Sequence, residues 1–319
     1  MTTPDSSPVC VIGLGQIGGS VVKAAAAAGR EAFGYVRSAR ALEAVRAEGF
    51  AVFDELESAL EQAERRGAII VAAVPMRATG GVFAQIAAFG GSCLVTDVGS
   101  VKASILAAAQ EHGLAGRFVG GHPMAGTANS GWEAADPALF QGAAWVVSVD
   151  ETVSSAGFAR VARLALDLGA AVVPALAAEH DRAVARISHL PHLLAAALAN
   201  TGAAGGELAL GLAAGSFRDG TRVAGSDPEL AEAMCANNTS AVVEALDEAL
   251  DWLTEARTEL ALTGQAGPIV RAGHTARAAY DRLAAARPAI SRIDLGEADW
   301  RERLAEAGRS GAVLRSWPL

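Results

Sequence analysis

The glycine triplet Gly13-Leu-Gly15-Gln-Ile-Gly18 stands directly behind the apolar run Val9-Cys-Val-Ile12 and ahead of an alanine-rich stretch reaching Ala28. A strand feeding such a turn, and the turn opening a helix, constrains the fold more than any other feature of the chain. Gly13 permits the tight turn, Gly15 lets the backbone approach a pyrophosphate, and Gly18 lets helix and strand pack closely. The helix start adds unpaired N–H groups and the positive end of its dipole, both suited to phosphate. A glycine-rich turn alone is an ordinary loop. Set between a strand and a helix, with a second strand candidate at Ala32–Val36, it is expected to hold a dinucleotide. Gln16 and Ile17 in the turn, and Val74 and Pro75 at the end of another apolar run, complete the expected coenzyme contacts.

The remainder of the first half repeats the same alternation. Ala68–Val74 reads as a fully buried strand stopped by Pro75, Cys93–Thr96 and Phe118-Val119 continue the series, and Ala143–Val149 and Ala170–Val173 follow. Continuous Val/Ile runs separated by helical patterns predict a parallel sheet covered on both faces, and right-handed crossovers make it doubly wound. After Pro174 the strand signals stop. Leu176–Asn200, Glu207–Ala214, Pro228–Ala261 and Arg271–Arg287 carry helical periodicity, and Ser226-Asp227-Pro228 is a helix-start signal. The expected class is therefore α/β, with a Rossmann-type domain over residues 1–174 and an all-helical domain over 175–319 that binds substrate and pairs two copies.

With 26 Lys+Arg against 35 Asp+Glu the net charge is −9, which argues against a nucleic-acid binder, since that would need a basic face. Mean hydropathy is positive at +0.28. Yet the longest apolar stretch, Leu168–Ala178, is about 11 residues where a spanning helix needs about 20, and the polar start Met1–Pro8 lacks a secretory pattern. No membrane association is expected. Cys10, Cys93 and Cys235 show no paired spacing and fit free thiols in a cytoplasmic protein.

The coenzyme's identity depends on the end of the second strand. An NAD site usually places Asp or Glu about 20 residues beyond the glycines, to accept from the ribose hydroxyls. Here the segment is Tyr35-Val36-Arg37-Ser38-Ala39-Arg40, with no acid before Glu43. Arg37 and Arg40 could grip a 2′-phosphate, with the Ser38 hydroxyl as a further donor. NADP is expected to be preferred over NAD; alternatively the two arginines are solvated residues at a helix start.

Three further segments carry chemistry. Asp97-Val-Gly-Ser100-Val-Lys102 follows a strand and begins a helix; Gly120-Gly-His122-Pro-Met-Ala-Gly126 sets a histidine among glycines; His180-Asp181 and Ser188-His189-Leu-Pro-His192 open the helical half. Four of the six histidines lie in these segments. Together with the glycine motif and Asp219-Gly-Thr-Arg222-Val-Ala-Gly-Ser-Asp227-Pro228, they resemble the prephenate/arogenate dehydrogenase family of tyrosine biosynthesis, in order, over residues 9–240.

The resemblance implies a cyclohexadienol substrate bearing a ring carboxylate and a 4-hydroxyl. Hydride leaves C4 for the nicotinamide, a base takes the hydroxyl proton, and the carboxylate departs as CO2 while the ring aromatises. It implies His122 as the base, and histidine suits the task because its unperturbed pKa of about 6.5 leaves neutral imidazole at pH 7. Ser100 would orient imidazole or substrate, or simply cap a helix. Arg222 would bind the ring carboxylate bidentately; the alternative is an ordinary surface arginine. His192 and Ser188 would touch substrate, with His189 as a polar neighbour and His180-Asp181 in a supporting network. A metal held by His189 and His192 lacks further ligands nearby, so no metal site is expected.

Two positions depart from the family pattern. Ala128 stands where an acid is frequent, and Ala231 where tryptophan is frequent, which leaves the side-chain preference open; the missing acid together with the expected NADP preference inclines toward arogenate being accepted. Two rivals are a β-hydroxyacid-type dehydrogenase and a catalytically silent NADPH-binding regulator. The first would normally use a lysine of the second domain, but Lys23 and Lys102 are the only lysines and both lie in the first half. With no strand-rich C-terminal module expected, tyrosine inhibition would have to act by competition at the active site. Charge-poor Ala/Leu helices suggest a homodimer through the helical domain.

Overall fold

A computed structural model describes residues 6–126, 129–290 and 292–317. The chain divides into two compact units, one running through His180 and resuming at Pro288, the other being Asp181–Arg287.

In the first unit, strands β1 (Val9–Ile12), β2 (Ala32–Tyr35), β3 (Ala51–Phe53), β4 (Ile69–Ala72), β5 (Val95–Asp97) and β6 (Phe118–Val119) form a sheet in the order β3-β2-β1-β4-β5-β6. Every neighbouring pair is parallel. Helices α1 (Gln16–Ala27), α2 (Ala39–Ala47), α3 (Leu56–Arg66), α4 (Met76–Phe89) and α5 (Ala103–Glu111) make the crossovers. The central strands β1 and β4 are buried at every position, as a sheet covered on both faces requires. Val9, Val11, Ile69 and Val71 join Val21 and Val22 of α1 in one core. Their alternates Cys10, Ile12 and Ile70 join Phe83 and Ile86 of α4 in another. This is the Rossmann arrangement expected from the sequence, with β3 added, a three-residue edge strand with one buried residue.

The later strands do not extend this sheet. β7 (Gly121–Pro123), β8 (Ala144–Ser148) and β9 (Ala171–Ala175) form a separate mixed sheet, β7 antiparallel to β8 and β8 parallel to β9. The chain crosses between sheets at Gly120, whose N–H donates to Ser148 Oγ at 2.9 Å and whose carbonyl accepts from Ser148 N–H at 2.9 Å. Helix α6 (Ser155–Asp167) links β8 to β9.

The expected assignment of everything after residue 174 to a helical domain also needs correction, because the C-terminal segment belongs to the first unit. Val172 and Leu314 exchange backbone hydrogen bonds of 2.9 and 2.8 Å. Helix α14 (Trp300–Arg309) buries Trp300, Leu304 and Ala305, and Trp300 meets Phe158 with ring centroids 5.8 Å apart.

Helix α7 (Ala177–Val184) leads into the second unit, which continues with a π-helical turn Ala185–His189, α8 (Leu190–Ala204), α9 (Gly206–Gly211), α10 (Gly215–Thr221), a 3-10 turn Arg222–Gly225, α11 (Pro228–Asn237), α12 (Thr239–Thr263) and α13 (Gly267–Ala285). Asp227 caps α11 as its sequence position suggested, its carboxylate accepting from Glu229 N–H at 2.9 Å with Pro228 in the first turn. The single helix expected over Pro228–Ala261 is two helices, because Asn238 leaves helical geometry at φ −126°, ψ 31°. The buried core of this unit is small, built on Ala185, Ala241, Val242 and Ala245. Ile187, Leu208, Leu212, Leu262, Val270 and Tyr280 stand exposed. Among the described residues no helix is long and apolar enough to cross a membrane.

Candidate active site

The turn after β1 has the shape a pyrophosphate needs. Gly13 adopts φ +99°, and a Cβ there would stand 2.5 Å from the Ala73 carbonyl oxygen; at Gly18 it would stand 1.9 Å from Gly13 O. Gly15, at the cap position of α1 with no side-chain cap, has nothing within 4 Å of where its Cβ would be. The chain is thus bare where it crosses itself and open where phosphate would meet the helix N-terminus. Val74 and Pro75 follow β4, the strand beside β1, so both loops leave the sheet where its strand order reverses. Ligands of open α/β sheets bind at that point. The loop after His122 reaches the same turn: a Cβ on Gly126 would lie 3.8 Å from Gln16 Oε1 and 3.9 Å from Ile17 Cδ1. These residues fit a dinucleotide.

Beyond β2, Arg37, Ser38 and Arg40 are all exposed. Ser38 Oγ accepts from Ala41 N–H at 3.4 Å and so caps α2. Arg40 pairs with Glu133 at 3.2 Å, both side chains largely in solvent, while Arg37 forms no ion pair among the described residues. An exposed pair of this kind contributes little and yields readily to a competing anion.

His122 sits in the middle of β7, on a platform made by the Asp97–Lys102 segment. Asp97 and Lys102 are buried and ion-paired to each other through Asp97 Oδ2. Asp97 also accepts from Gly121 N–H at 3.0 Å and Gly99 N–H at 2.8 Å, and Lys102 Nζ donates to Gly121 O at 2.6 Å. Both backbone groups of Gly121 are therefore held by one charged pair, and a Cβ at Gly121 would meet Asp97 O at 2.6 Å. Lys102, not Ser100, occupies the cap position of α5. Ser100 is half-buried in the loop leaving β5.

His122 Nδ1 lies 2.8 Å from His180 Nε2, the rings edge-on with centroids 5.1 Å apart. His180 is buried. One nitrogen of each ring is committed to this contact, so a neutral His122 that donates through Nδ1 to His180 keeps its lone pair at Nε2. The sequence placed His180 in a supporting network without identifying this contact.

The remaining candidates belong to the second unit. His192 Nδ1 lies 2.9 Å from Ser188 O. A carbonyl can only accept, so Nδ1 carries the proton and Nε2 is the ring's other polar atom. Ser188 is half-buried, whereas His189 is buried, with its Nδ1 3.3 Å from Asn238 Nδ2. Arg222 is exposed and forms no ion pair among the described residues. The turn it opens contributes Val223 and Ala224 to a largely apolar cavity of about 700 Å³, which His192, Ser226, Ala231 and Cys235 also line. Ala128 lies outside the described residues.

Comparison with known proteins bears on both units. Residues 22–174 match the family described as prephenate dehydrogenase, nucleotide-binding domain, and residues 176–271 match prephenate dehydrogenase, dimerization domain. The chain is 31% identical over 259 residues to a cyclohexadienyl dehydrogenase of Zymomonas mobilis, covering 79% of this chain and 88% of that protein. A crystal structure of a candidate prephenate dehydrogenase from Corynebacterium glutamicum is similar at TM-score 0.91 and 41% identity, covering 97% of this chain and 98% of the other. An arogenate dehydrogenase from Synechocystis is similar at TM-score 0.74 and 30% identity, covering 86% and 99%.

Proposed function

The chain belongs to the prephenate dehydrogenase family, and from that premise we propose that His122, Ser100 and Arg222 carry its chemistry on prephenate and arogenate. The reaction is oxidative decarboxylation to 4-hydroxyphenylpyruvate or tyrosine, with hydride passing to a nicotinamide coenzyme, in tyrosine biosynthesis. Held by Gly13, Gly15, Gln16, Ile17, Gly18, Val74 and Pro75, the coenzyme supplies the hydride acceptor. The protein's residues handle the proton and the charges. His122 Nε2 takes the 4-hydroxyl proton as hydride leaves C4, Ser100 orients that hydroxyl, and Arg222 pairs with the ring carboxylate until it departs as CO2. His192 Nε2 and Ser188 contact the rest of the substrate.

The observation that supports this proposal is the 2.8 Å contact of His122 Nδ1 with His180 Nε2: with Nδ1 as the donor in that contact, the lone pair of a neutral His122 lies on Nε2. The alternative of a lysine-dependent hydroxyacid dehydrogenase is not favoured: Lys102 is buried against Asp97, and Lys23 pairs with Glu48 at 2.9 Å.

NADP is the proposed preferred coenzyme. Its support is the exposed Arg37 and Arg40 and the absence of an acid in Tyr35–Arg40. Arogenate is proposed to be accepted beside prephenate. A four-way assay, each substrate with each coenzyme at 340 nm, is expected to give the higher kcat/KM with NADP and turnover of both substrates. A higher value with NAD would refute the coenzyme preference, and cofactor binding without turnover would mean a silent sensor.

The match to a dimerization domain and the exposed apolar side chains between Ile187 and Leu283 support a homodimer through the second unit. Sedimentation equilibrium is expected to give twice the 32.3 kDa chain mass, and a monomer at micromolar concentration would exclude it. The free thiols Cys10, Cys93 and Cys235 support a reducing, cytoplasmic setting.

A further inference from the structure

The π-helical turn Ala185–His189 is the one irregular stretch between α7 and α8, and it carries Ser188 and delivers His192. Such turns hold one residue more than an α-helix would, are rare, and persist where something pins them. Asn238 is placed to do so. It occupies the break between α11 and α12 and is buried. Its Nδ2 donates to the Asp181 carbonyl at 2.8 Å, in α7 one turn ahead of the π-helical stretch, and lies 3.3 Å from His189 Nδ1 at the last residue of that stretch.

The chemistry of these three groups leaves one arrangement. Because Asp181 O can only accept, the amide must face it with its NH2 and not its oxygen. The second amide proton then points at His189 Nδ1, which must hold a lone pair, so that the imidazole proton resides on Nε2. One side chain therefore ties the helix ahead of the turn to the histidine that closes it, and sets that histidine's tautomer. The turn in turn supplies the Ser188 carbonyl that binds His192 Nδ1.

We propose that Asn238 is a positioning residue for substrate: it locks the π-helical turn and thereby aims Ser188 and His192. This rests on the assignment of those two residues to substrate binding. Asn238 itself touches neither substrate nor coenzyme in this account.

The test reads the lock and its consequence separately. In the wild-type holoenzyme, 15N NMR of the imidazoles, assigned with a His189→Gln variant, is expected to show His189 protonated on Nε2 with Nδ1 bare. In Asn238→Asp the carboxylate offers no donor to Asp181 O or to Nδ1, so His189 should take up a proton on Nδ1. The KM for arogenate or prephenate should rise about tenfold, as displaced binding groups do, with the coenzyme KM within about twofold. A wild-type His189 protonated on Nδ1 alone overturns the proposal without recourse to any variant that must fold. So does an Asn238→Asp enzyme whose His189 is unchanged, or one with altered His189 and unaltered substrate KM. His192→Asn distinguishes the underlying assignment: if that variant binds substrate normally, the contact by His192 fails, whereas the wild-type imidazole spectrum still decides on the lock.

Discussion

His122→Asn is expected to lower kcat by about 10²- to 10⁴-fold, the range that a positioned general base supplies, with KM for coenzyme and substrate little changed. Asparagine is the informative replacement because its amide nitrogen falls near the place of imidazole Nδ1. It can keep donating to His180, which now lies 2.8 Å from that atom, while the distal lone pair disappears. The platform should survive the change, since Gly121 is held through its backbone by Asp97 and Lys102 and not through its neighbour's ring. Steady-state kinetics with circular dichroism as a folding control make the measurement. A kcat within threefold of wild type would remove His122 from the proton transfer.

Arg222→Gln should act on the other parameter. A guanidinium binding a carboxylate through two charge-assisted hydrogen bonds gains about 1.5–3 kcal/mol from each. Loss of the fork should raise the substrate KM by about 10²- to 10⁴-fold, at 1.4 kcal/mol per factor of ten. The carboxylate's charge is leaving for the ring as the reaction proceeds, so this contact belongs to the ground state at least as much as to the transition state. kcat should therefore change far less than KM. Arg222→Lys should recover only part of the loss, because an ammonium cannot present the planar fork. An unchanged KM in Arg222→Gln would assign the ring carboxylate to another cation.

The parts of this protein that can be read from its chain are those whose requirement is local. Gly13 must turn with positive φ and Gly18 must admit the chain crossing beside it, so the nucleotide turn announces itself in six residues. The fully buried strands β1 and β4 do so through unbroken apolar runs. Asp227-Pro228 marks its helix start by the same kind of local chemistry.

What escapes the sequence is held by distant partners. β7 is Gly-His-Pro, with no strand character of its own, and exists because Ser148 and the buried Asp97–Lys102 pair bind the backbone at Gly120 and Gly121. The Asp97-to-Lys102 spacing was visible as a motif, but its target lies 19 residues further on. Pairing of the C-terminal segment with β9 depends on a few anchors, Trp300, Leu304, Val313 and Leu314, scattered in charged surroundings, so its pattern is that of an irregular tail. Asn238 interrupts a stretch whose propensities are otherwise helical, and its doublet with Asn237 was the one available hint.

On the proposed mechanism hydride and the ring carboxylate leave the same substrate molecule, with Arg222 as its proposed anchor and His122 as its proposed base. The four-way assay tests it most directly when substrate labelled in the ring carboxylate is used and released carbon dioxide is counted against reduced coenzyme. One carbon dioxide per reduced nicotinamide is expected with each accepted substrate, both falling together in His122→Asn. Reduced coenzyme formed without carbon dioxide would contradict the account.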